Sequence, residues 1–481
     1  MTASRLHPAT ADALRLWHDG CEELAVVQHN GIRIDVDYLQ AKRVELRADE
    51  AVRVGRLKES EVWRVWRKRF GQKALITSEQ QLSDVLFSMM KIEPPDGTRR
   101  NKNGKFAVSE EILDKIDHPF VRDLMTLRKI RKLCSTYIDG WLSEQVGGYL
   151  HPFFNLHKAA SFRSSSEAPN FQNVPVRHPV NGPLVRRAFI PRGPNRRIVE
   201  IDFAGAEVRV AGCCTGDPAL MNYLVGNGDM HRDVAKDLFL LDDSQVDKKS
   251  TRDWAKNRFV FPQFYGSVWF QCAPNLWDAV VASSAEVPGT GLSVMAHLKS
   301  KGVSGLGSCD PKEPPQEGTF AALVLKAERV MWDKRFKVFT KWKRDLWDSY
   351  QRTGYIHMAT GFTSASVPMR RNQVLNFPVQ GPAFHCLLWC LVRVQRELRK
   401  YKMKAKVIGQ VHDSILGDVP DREIQDFLEI SYRVMTKDIM AAWAWLTVPL
   451  EAEAEVSPVG GAWADKAQWL PKNGVWCPVI K

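Results

Sequence analysis

The wide spacing of strand patterns between long helical segments constrains the fold of this chain more than any other feature. Residues 197–203 (RIVEIDF) alternate between apolar and polar side chains, as does the late segment 446–456. Residues 406–419 read as a strand, a two-residue turn and a second strand. Most of the remaining segments carry the periodicity of helices. Strands scattered between long helices predict an α+β protein whose sheet is assembled from distant parts of the chain.

Two aspartates lie where these strand patterns end. Asp202 follows the apolar part of the 197–203 strand, and Asp413 lies at the tip of the predicted hairpin. A carboxylate next to a buried strand is costly unless a cation neutralises it. If the strands are neighbours, the two carboxylates converge and can hold a pair of Mg²⁺ ions about 4 Å apart, as in-line phosphoryl transfer requires. A turn or cap role for each aspartate is the alternative.

A basic helix face offers partners for a chain of phosphates. Arg252 and Lys256 are four residues apart, so they share one face of a helix. Two cations on that face can clamp a triphosphate, with His231 as a candidate third donor. An aromatic side chain further along the helix can stack on a base. A solvated basic face is the alternative.

The charge of the chain favours a polyanionic partner. Lys and Arg number 68 against 55 Asp and Glu, which gives a formal net charge of +13. Nucleic acid is the first candidate partner, and a generically basic enzyme is the alternative. The basic segments 64–73 and 99–105 are predicted to grip a phosphate backbone without reading bases, unless they are simply solvated surface.

The cysteines and the N-terminal sequence predict an intracellular location. None of the nine cysteines forms a CxxC pair, so reduced thiols are expected rather than a zinc site. The first residues lack the apolar stretch of a signal peptide, and no apolar run is long enough to span a bilayer. We therefore expect a cytoplasmic protein without a membrane partner, in the cytoplasm of a bacterial host if the chain is phage-encoded.

The candidate residues fall within six sequence blocks that occur in a fixed order. The blocks are 163–175, 186–189, 202–209 (DFAGAEVR), 252–266, 376–381 and 410–413 (QVHD). They resemble the signatures of the family A DNA polymerases, the bacterial DNA polymerase I type. In that resemblance, 202–209 looks like motif A, 252–266 like motif B and 410–413 like motif C. Residues 31–35 and 135–139 resemble the family's thumb, so the resemblance covers roughly residues 21–463.

The resemblance implies the right-hand polymerase fold, an α+β fold with an antiparallel palm sheet, helical fingers and a helical thumb. The implied divisions are an N-terminal segment (1–20), the thumb (21–150), a first part of the palm (151–215), the fingers (216–354) with an insertion near 282–319, and a second part of the palm with a C-terminal tail (355–481). The implied activity is primer-dependent, template-directed 5′→3′ DNA synthesis from dNTPs, with release of pyrophosphate.

Carried over by motif, the resemblance assigns the reacting groups. Asp202 and Asp413 would hold two Mg²⁺ ions, and the carbonyl of Phe203 would complete one metal site. Arg252, Lys256 and His231 would hold the triphosphate. Lys256 would also protonate the leaving pyrophosphate as general acid.

The resemblance also assigns the groups around the sugar, the base and the DNA. Glu207 would be the steric gate that crowds a ribose 2′-hydroxyl, and Tyr265 would cover the templating position. The residues expected to contact the primer–template near its terminus are Arg163, Gln172, Asn173, Asn376, Gln380 and His412. Such contacts sense the shape of a base pair rather than its sequence.

Motif B departs from the family pattern by one extra residue between Lys256 and Phe261. A regular helix would turn Phe261 about 100° away from the face of Lys256. Pro262 also removes a helix hydrogen bond. A single π-bulge absorbs one residue, so we predict such a bulge here and Phe261 as the residue that stacks on the nucleotide.

Two further departures concern the acidic motifs. Ser414 stands where the family usually has a glutamate, and the His-Asp-Ser sequence also resembles the single-subunit RNA polymerases. Ala204 and Gly205 replace polar residues of motif A, so a contact with the template or primer is expected to be lost there.

One expectation about the domains and two alternative functions remain open from the sequence. Only about 20 residues precede the thumb pattern, so we expect no 3′→5′ exonuclease domain in this chain and consider a separate exonuclease or processivity subunit as a partner. A single-subunit RNA polymerase is the rival enzyme, although Glu207 and the 163–175 block favour DNA synthesis. A catalytically inactive nucleic-acid-binding protein is the rival from another class.

Overall fold

The structure, a computed structural model, describes residues 9–95, 98, 100–101, 103–175, 181–226, 228–365 and 368–479. Arg99 and Lys102, which belong to the predicted basic segment 99–105, lie outside the described residues.

Fourteen strands lie in the described part of the chain. They are β1 (Ile32–Arg33), β2 (Tyr149–Leu150), β3 (Phe153–Asn155), β4 (Ser165–Glu167), β5 (Arg196–Phe203), β6 (Glu286–Val287), β7 (Leu292–Ser293), β8 (Ile356–His357), β9 (Thr363–Ser364), β10 (Lys406–Val411), β11 (Ser414–Pro420), β12 (Ala452–Val456), β13 (Ala467–Lys472) and β14 (Val475–Pro478).

Twenty α-helices accompany them in the same residues. They are α1 (Thr10–Asn30), α2 (Val36–Glu59), α3 (Glu61–Phe70), α4 (Glu79–Ser83), α5 (Glu110–Leu113), α6 (Pro119–Lys132), α7 (Gly140–Glu144), α8 (Asn181–Arg186), α9 (Ala206–Thr215), α10 (Pro218–Val225), α11 (Met230–Phe239), α12 (Thr251–Ala255), α13 (Phe261–Phe264), α14 (Trp269–Ala282), α15 (Val294–Ser300), α16 (Phe320–Arg329), α17 (Lys337–Thr353), α18 (Arg371–Lys400), α19 (Ile424–Arg433) and α20 (Ile439–Ala442).

The six-stranded sheet joins strands from distant parts of the sequence. Its order is β10-β11-β5-β12-β13-β14, and all neighbours are antiparallel. The predicted strand–turn–strand is confirmed, since β10 and β11 are joined by the two residues His412 and Asp413. His412 has a φ of 49°, as the first residue of such a tight turn requires. Because β5 lies between β11 and β12, the sheet is assembled from distant segments, as the sequence predicts.

The outer edge of the sheet is covered by a side chain. β14 is the last strand, and α19 packs beside it. Gln425 Nε2 donates to the carbonyl of Trp476 at 2.9 Å, and the N–H of Trp476 donates to Gln425 Oε1 at 2.8 Å. The amide of Gln425 therefore satisfies both backbone groups of Trp476, as a neighbouring strand would do.

The first helical unit consists mainly of α2, α3 and α6, which enclose a core that includes Trp66 and Leu124. The helical segment predicted from residue 36 to residue 70 is divided at Ser60. Ser60 Oγ accepts the N–H of Trp63 at 3.1 Å and caps α3. A serine cap starts a new helix because it satisfies an N–H group that lacks a partner within the helix.

A second helical unit packs α11, α12, α14 and α16 around Phe239, Phe259 and Phe320. The segment near residues 282–319, expected as an insertion, packs against this unit. This segment contains the β6–β7 hairpin and α15, and Val294 joins the same apolar core. The segment is rich in Gly and Pro, but burial of its apolar side chains stabilises the hairpin and the helix.

Helix α1 packs along the 30-residue helix α18, which also contacts β10 and β11. A Cβ atom on Gly20 would lie 2.8 Å from Leu388 Cδ2, so the glycine permits the close approach of the two helices. The predicted boundary after residue 20 falls inside α1. Among the described residues, no helix combines the length and the apolar character needed to cross a membrane.

Candidate active site

The sheet brings Asp202 and Asp413 to the same end of neighbouring strands. Ser414, the first residue of β11, is the register partner of Asp202 in β5. The N–H of Phe203 donates to the carbonyl of Asp413 at 3.2 Å. The hydrogen bond fixes the turn of the hairpin against the end of β5, so the two aspartates converge as the strand patterns predict.

Both aspartates are harder to ionise than usual. Desolvation, followed by the charges of Asp413 and Glu200, raises the pKa of Asp202 to about 7, although its side chain remains open to the cleft. Desolvation also raises the pKa of Asp413, against the opposing effect of Arg163. A divalent cation would neutralise both carboxylates, so this pair of oxygen donors fits Mg²⁺. Across the described residues, no cluster of three or more His, Cys, Asp or Glu has a metal-binding arrangement.

Ser414 closes the hairpin turn. Its Oγ donates to the carbonyl of Val411 at 2.9 Å and is buried. The hydroxyl of Ser414 is therefore engaged with the backbone of the hairpin.

The turn that follows Asp202 is fixed by a buried arginine. Gly205 has a φ of 66° and begins α9. Arg209 Nε donates to the carbonyl of Ala204 at 3.0 Å, and Arg209 Nη1 donates to the carbonyl of Pro449 at 2.6 Å. The guanidinium thus ties the end of motif A to the segment before β12. This role of Arg209 could not be predicted, because nothing in the sequence pairs it with residue 449.

The three predicted phosphate ligands lie together on α11, α12 and the segment that follows. Arg252 Nε forms an ion pair with Asp229 Oδ2 at 2.7 Å. The ring of His231 meets that of Phe261 edge-on at 5.6 Å, and Lys256 Nζ lies 5.5 Å from the same ring. Desolvation, Arg252 and Lys256 lower the pKa of His231 to about 4, so its imidazole is neutral at pH 7.

Asp229 is a site residue that the sequence analysis missed. It caps α11 by accepting the N–H of Arg232 at 3.0 Å, and it also orients Arg252. An aspartate one residue ahead of a helix that starts with Met230 and His231 is a recognisable cap signal. Its second role depends on the packing of α11 against α12, which the local sequence does not reveal.

The predicted π-bulge in motif B is confirmed. A π-helical segment covers Lys256–Val260 between α12 and α13. Phe259 and Val260 point into the apolar core, whereas Phe261 contacts His231 and Lys256. The wider turn absorbs the extra residue and returns Phe261 to the face of Lys256.

Tyr265 and Glu207 connect motif B to motif A. The hydroxyl of Tyr265 donates to the carboxylate of Glu207, and Arg163 Nη1 lies 3.9 Å from the other oxygen of that carboxylate. Desolvation raises the pKa of Glu207, and the nearby charge of Asp413 adds to this effect. Glu207 therefore lies between the aromatic side of the site and its acidic side.

Four of the six residues predicted to contact DNA fall into two groups. Gln172 Nε2 donates to Gln410 Oε1 at 2.6 Å and to Ser164 Oγ at 2.7 Å, and Gln410 Nε2 donates to the carbonyl of His412 at 2.5 Å. This network ties the 163–175 block to motif C. Gln410 and Ser164 are members of it that the sequence analysis left without a role.

The second group lies beside Tyr265. Asn376 Nδ2 donates to the carbonyl of Tyr265 at 3.1 Å. Asn376 and Gln380 line a cavity together with Tyr265 and Phe261. Asn173 lies apart from both groups, with its side chain exposed at a pocket that it shares with Lys132, Tyr137 and Trp141.

Known proteins with similar sequences cover nearly the whole chain. The chain is 29% identical to DNA polymerase I of Chloroflexus aurantiacus over 91% of its own length and 42% of that protein. It is 27% identical to the thermostable DNA polymerase I of Thermus aquaticus and 25% identical to DNA polymerase I of Bacillus subtilis, over 46% of each. The chain thus spans less than half the length of these curated relatives.

A solved structure shares the fold of this chain. It is the polymerase domain of Pol1 from M. smegmatis in complex with DNA primer-template and dNTP. The TM-score is 0.70 and the sequence identity is 22%, and the match covers 92% of this chain and 69% of that one. The α+β architecture is therefore that of the right-hand polymerases. Residues 53–286 and 334–465 match DNA polymerase family A. Since the matched residues make up most of the sequence, the chain belongs to DNA polymerase family A.

Proposed function

We propose that this chain extends a DNA primer in the 5′→3′ direction, copying a template strand by adding dNTPs and releasing pyrophosphate. One observation carries the proposal, namely the continuous series of contacts from the acidic pair to the basic helix. Glu207 lies near Asp413, and its carboxylate accepts a hydrogen bond from the hydroxyl of Tyr265. Phe261 lies one helical turn before Tyr265 and contacts Lys256. Such a series can hold the primer end, the sugar and the triphosphate of one nucleotide at the same time.

Asp202 and Asp413 would hold two Mg²⁺ ions, with the carbonyl of Phe203 as a further ligand. When bound, these ions lower the pKa of the primer 3′-hydroxyl and neutralise charge on the leaving pyrophosphate. Arg163 moderates the negative charge beside Asp413 when the site is free of metal.

Arg252, Lys256 and His231 would bind the triphosphate. Arg252 is oriented by Asp229, so its remaining guanidinium N–H groups stay available for phosphate oxygens. Lys256 would donate a proton to the pyrophosphate as it leaves, acting as general acid.

Glu207, Phe261 and Tyr265 would enclose the sugar and the base. The carboxylate of Glu207 would clash with a ribose 2′-hydroxyl, and Phe261 would lie against the sugar and base. Tyr265 would cover the templating position until the next template base moves in.

The primer–template would lie along the residues that link the two units. Gln172 and His412 reach its terminus through the network around Gln410, and Arg163, Asn173, Asn376 and Gln380 provide further contacts. In this proposal the thumb spans residues 21–150, the palm 151–215 and 355–481, and the fingers 216–354. A separate exonuclease or processivity subunit is a further candidate partner.

A primer-extension assay with Mg²⁺ tests the proposal. We expect dNTPs to be added to a primed DNA template and rNTPs to be added far more slowly. Equal use of rNTPs would favour the single-subunit RNA polymerase, and DNA binding without extension would favour an inactive binding protein. A primer with a mismatched 3′ end tests for proofreading in the same assay.

A further inference from the structure

A buried glutamine lies between Phe261 and Tyr265 of motif B. Gln263 belongs to α13 and is almost fully buried. Its Nε2 donates to the carboxylate of Glu328, and its Oε1 accepts the indole N–H of Trp332 at 2.8 Å. Both ends of the amide are therefore used, and neither partner belongs to motif B.

Glu328 braces both sides of the turn that contains Tyr265. Its carboxylate also accepts the backbone N–H of Trp269, the first residue of α14. Because Gln263 lies before the turn and Trp269 lies after it, one carboxylate joins α13 to α14. The position of Tyr265 between them depends on this connection.

Three side chains fix the position of Trp332. Its ring lies edge-on to Phe264 at 5.6 Å and to Phe339 at 5.5 Å. Lys343 Nζ lies 3.1 Å from the ring centroid. The side chain of Lys343 therefore covers one face of the indole.

Helix α13, which Gln263 belongs to, is too short to be stable without tertiary contacts. α13 is one turn long, follows a π-helical segment and contains Pro262, which has no N–H to donate. An isolated turn of helix is unstable in water, so its orientation must come from tertiary contacts. The match to DNA polymerase family A omits residues 287–333, and this stretch supplies both Glu328 and Trp332.

We propose that Glu328 and Trp332 are positioning residues that act through Gln263 to hold Phe261 and Tyr265 towards the incoming nucleotide. The inference rests on the proposed polymerase function. The segment 287–333 thus supplies the support that the extra residue in motif B makes necessary.

An exchange of the two partners tests this role. Gln263→Glu sets two carboxylates against each other, whereas Gln263→Glu combined with Glu328→Gln restores a donor, an acceptor and a site for the N–H groups of Trp332 and Trp269. The matched control is Gln395→Glu, another buried glutamine, whose Nε2 donates to the carbonyl of Glu23 at 3.0 Å in the α1–α18 interface. The assay is single-turnover incorporation of one dNTP on a primed DNA template, together with the melting temperature of each variant.

We expect Gln263→Glu to raise the apparent Kd for dNTP about tenfold, because a smaller fraction of molecules holds the aromatic residues in place. The double variant should recover most of that loss. Gln395→Glu should lower the melting temperature and leave the Kd near that of the unaltered chain.

Two results would overturn the inference: an unchanged Kd in folded Gln263→Glu, or a double variant that folds and still binds dNTP as weakly as the single one. An unaltered chain that fails to extend primers would instead contradict the proposed function. In that case the melting temperatures of the single and double variants still measure whether Gln263 and Glu328 are coupled.

Discussion

The hydroxyl of Tyr265 donates a hydrogen bond to the carboxylate of Glu207, across 58 residues of sequence. The bond ties the end of motif B to the first turn of α9. Because Arg163 Nη1 lies 3.9 Å from the other oxygen of that carboxylate, a nucleotide that enters the site meets a carboxylate already held in place from two sides.

The first prediction concerns this carboxylate. Glu207→Ala should raise ribonucleotide incorporation relative to deoxyribonucleotide incorporation at least tenfold, because a clash worth on the order of a few kcal/mol is removed. Tyr265→Phe is the matched control, since it removes the hydrogen bond and leaves the carboxylate in place. Competition between dATP and ATP in single-nucleotide extension measures the ratio. A larger change in Tyr265→Phe than in Glu207→Ala would assign the selection to the tyrosine.

The second prediction concerns the two acids. Asp202→Asn and Asp413→Asn should each lower primer extension by several orders of magnitude, because a neutral amide holds Mg²⁺ poorly where charge develops. DNA binding, measured by fluorescence anisotropy, should stay close to that of the unaltered chain. Asp426→Asn, an exposed aspartate on α19, is the control and should keep full activity. A rate above about a tenth of normal in either variant would remove that aspartate from the metal site.

The third prediction tests which aromatic residue of motif B touches the sugar. Phe261 has no hydroxyl to replace a missing 3′-hydroxyl, so dideoxynucleotides should be poor substrates. Phe261→Tyr supplies that hydroxyl and should improve their use at least tenfold. Val260→Tyr is the control for the register, since Val260 points into the apolar core. Improvement in Val260→Tyr alone would show that the residue facing the sugar was assigned wrongly.

The fourth prediction concerns the pH dependence of stability. Desolvation, followed by the charge of Arg371, lowers the pKa of Lys343 to about 7, below its value in the unfolded chain. The unfolded state therefore binds more protons between pH 7 and the unfolded pKa near 10.5, and stability rises with pH across that window. Below pH 7 the full cost of the buried charge remains.

Lys343→Met removes that cost. We expect it to raise the melting temperature at pH 7, with a gain that shrinks as the pH approaches 10. Lys326→Met, an exposed lysine on α16, should show no such trend. Thermal unfolding from pH 6 to pH 10 checks this, and a gain that does not vary with pH would refute the cause.

The fifth prediction concerns the basic helix α3 and the turn that follows it, which ends at Lys73. Neutralising Arg64, Arg67, Lys68 and Lys73 should weaken DNA binding and flatten its salt dependence by about 0.9 per lost phosphate contact. The control neutralises four exposed cations elsewhere, Lys402, Lys404, Arg422 and Lys437. If the salt dependence of DNA binding had the same slope in both variants, these cations would be ordinary solvated surface residues.

The features that follow from local sequence could be predicted. The alternation in 197–203 and the hairpin around His412 and Asp413 depend on side-chain period and turn chemistry. The positions of Asp202 near the end of β5 and of Asp413 in the turn could therefore be predicted. The extra residue in motif B, next to Pro262, was enough to predict the π-helical segment, because a helix can absorb one added residue in few ways.

Features that depend on pairing between distant segments could not be predicted. Asp229 orients Arg252 only because α11 packs against α12. Glu328 and its partner Gln263 are 65 residues apart in the sequence. The pattern of one segment does not reveal which buried polar group will satisfy another.

The bond between Gln425 and the backbone of Trp476 has a consequence for the behaviour of the protein at high concentration. A strand from a second molecule could extend the sheet at β14 only by breaking two hydrogen bonds and leaving a glutamine amide without partners. Pro478, in the same strand, has no N–H that could donate to an added strand. Self-association through this edge is therefore unfavourable, and Gln425→Ala should promote concentration-dependent oligomers in analytical ultracentrifugation while leaving the active site intact.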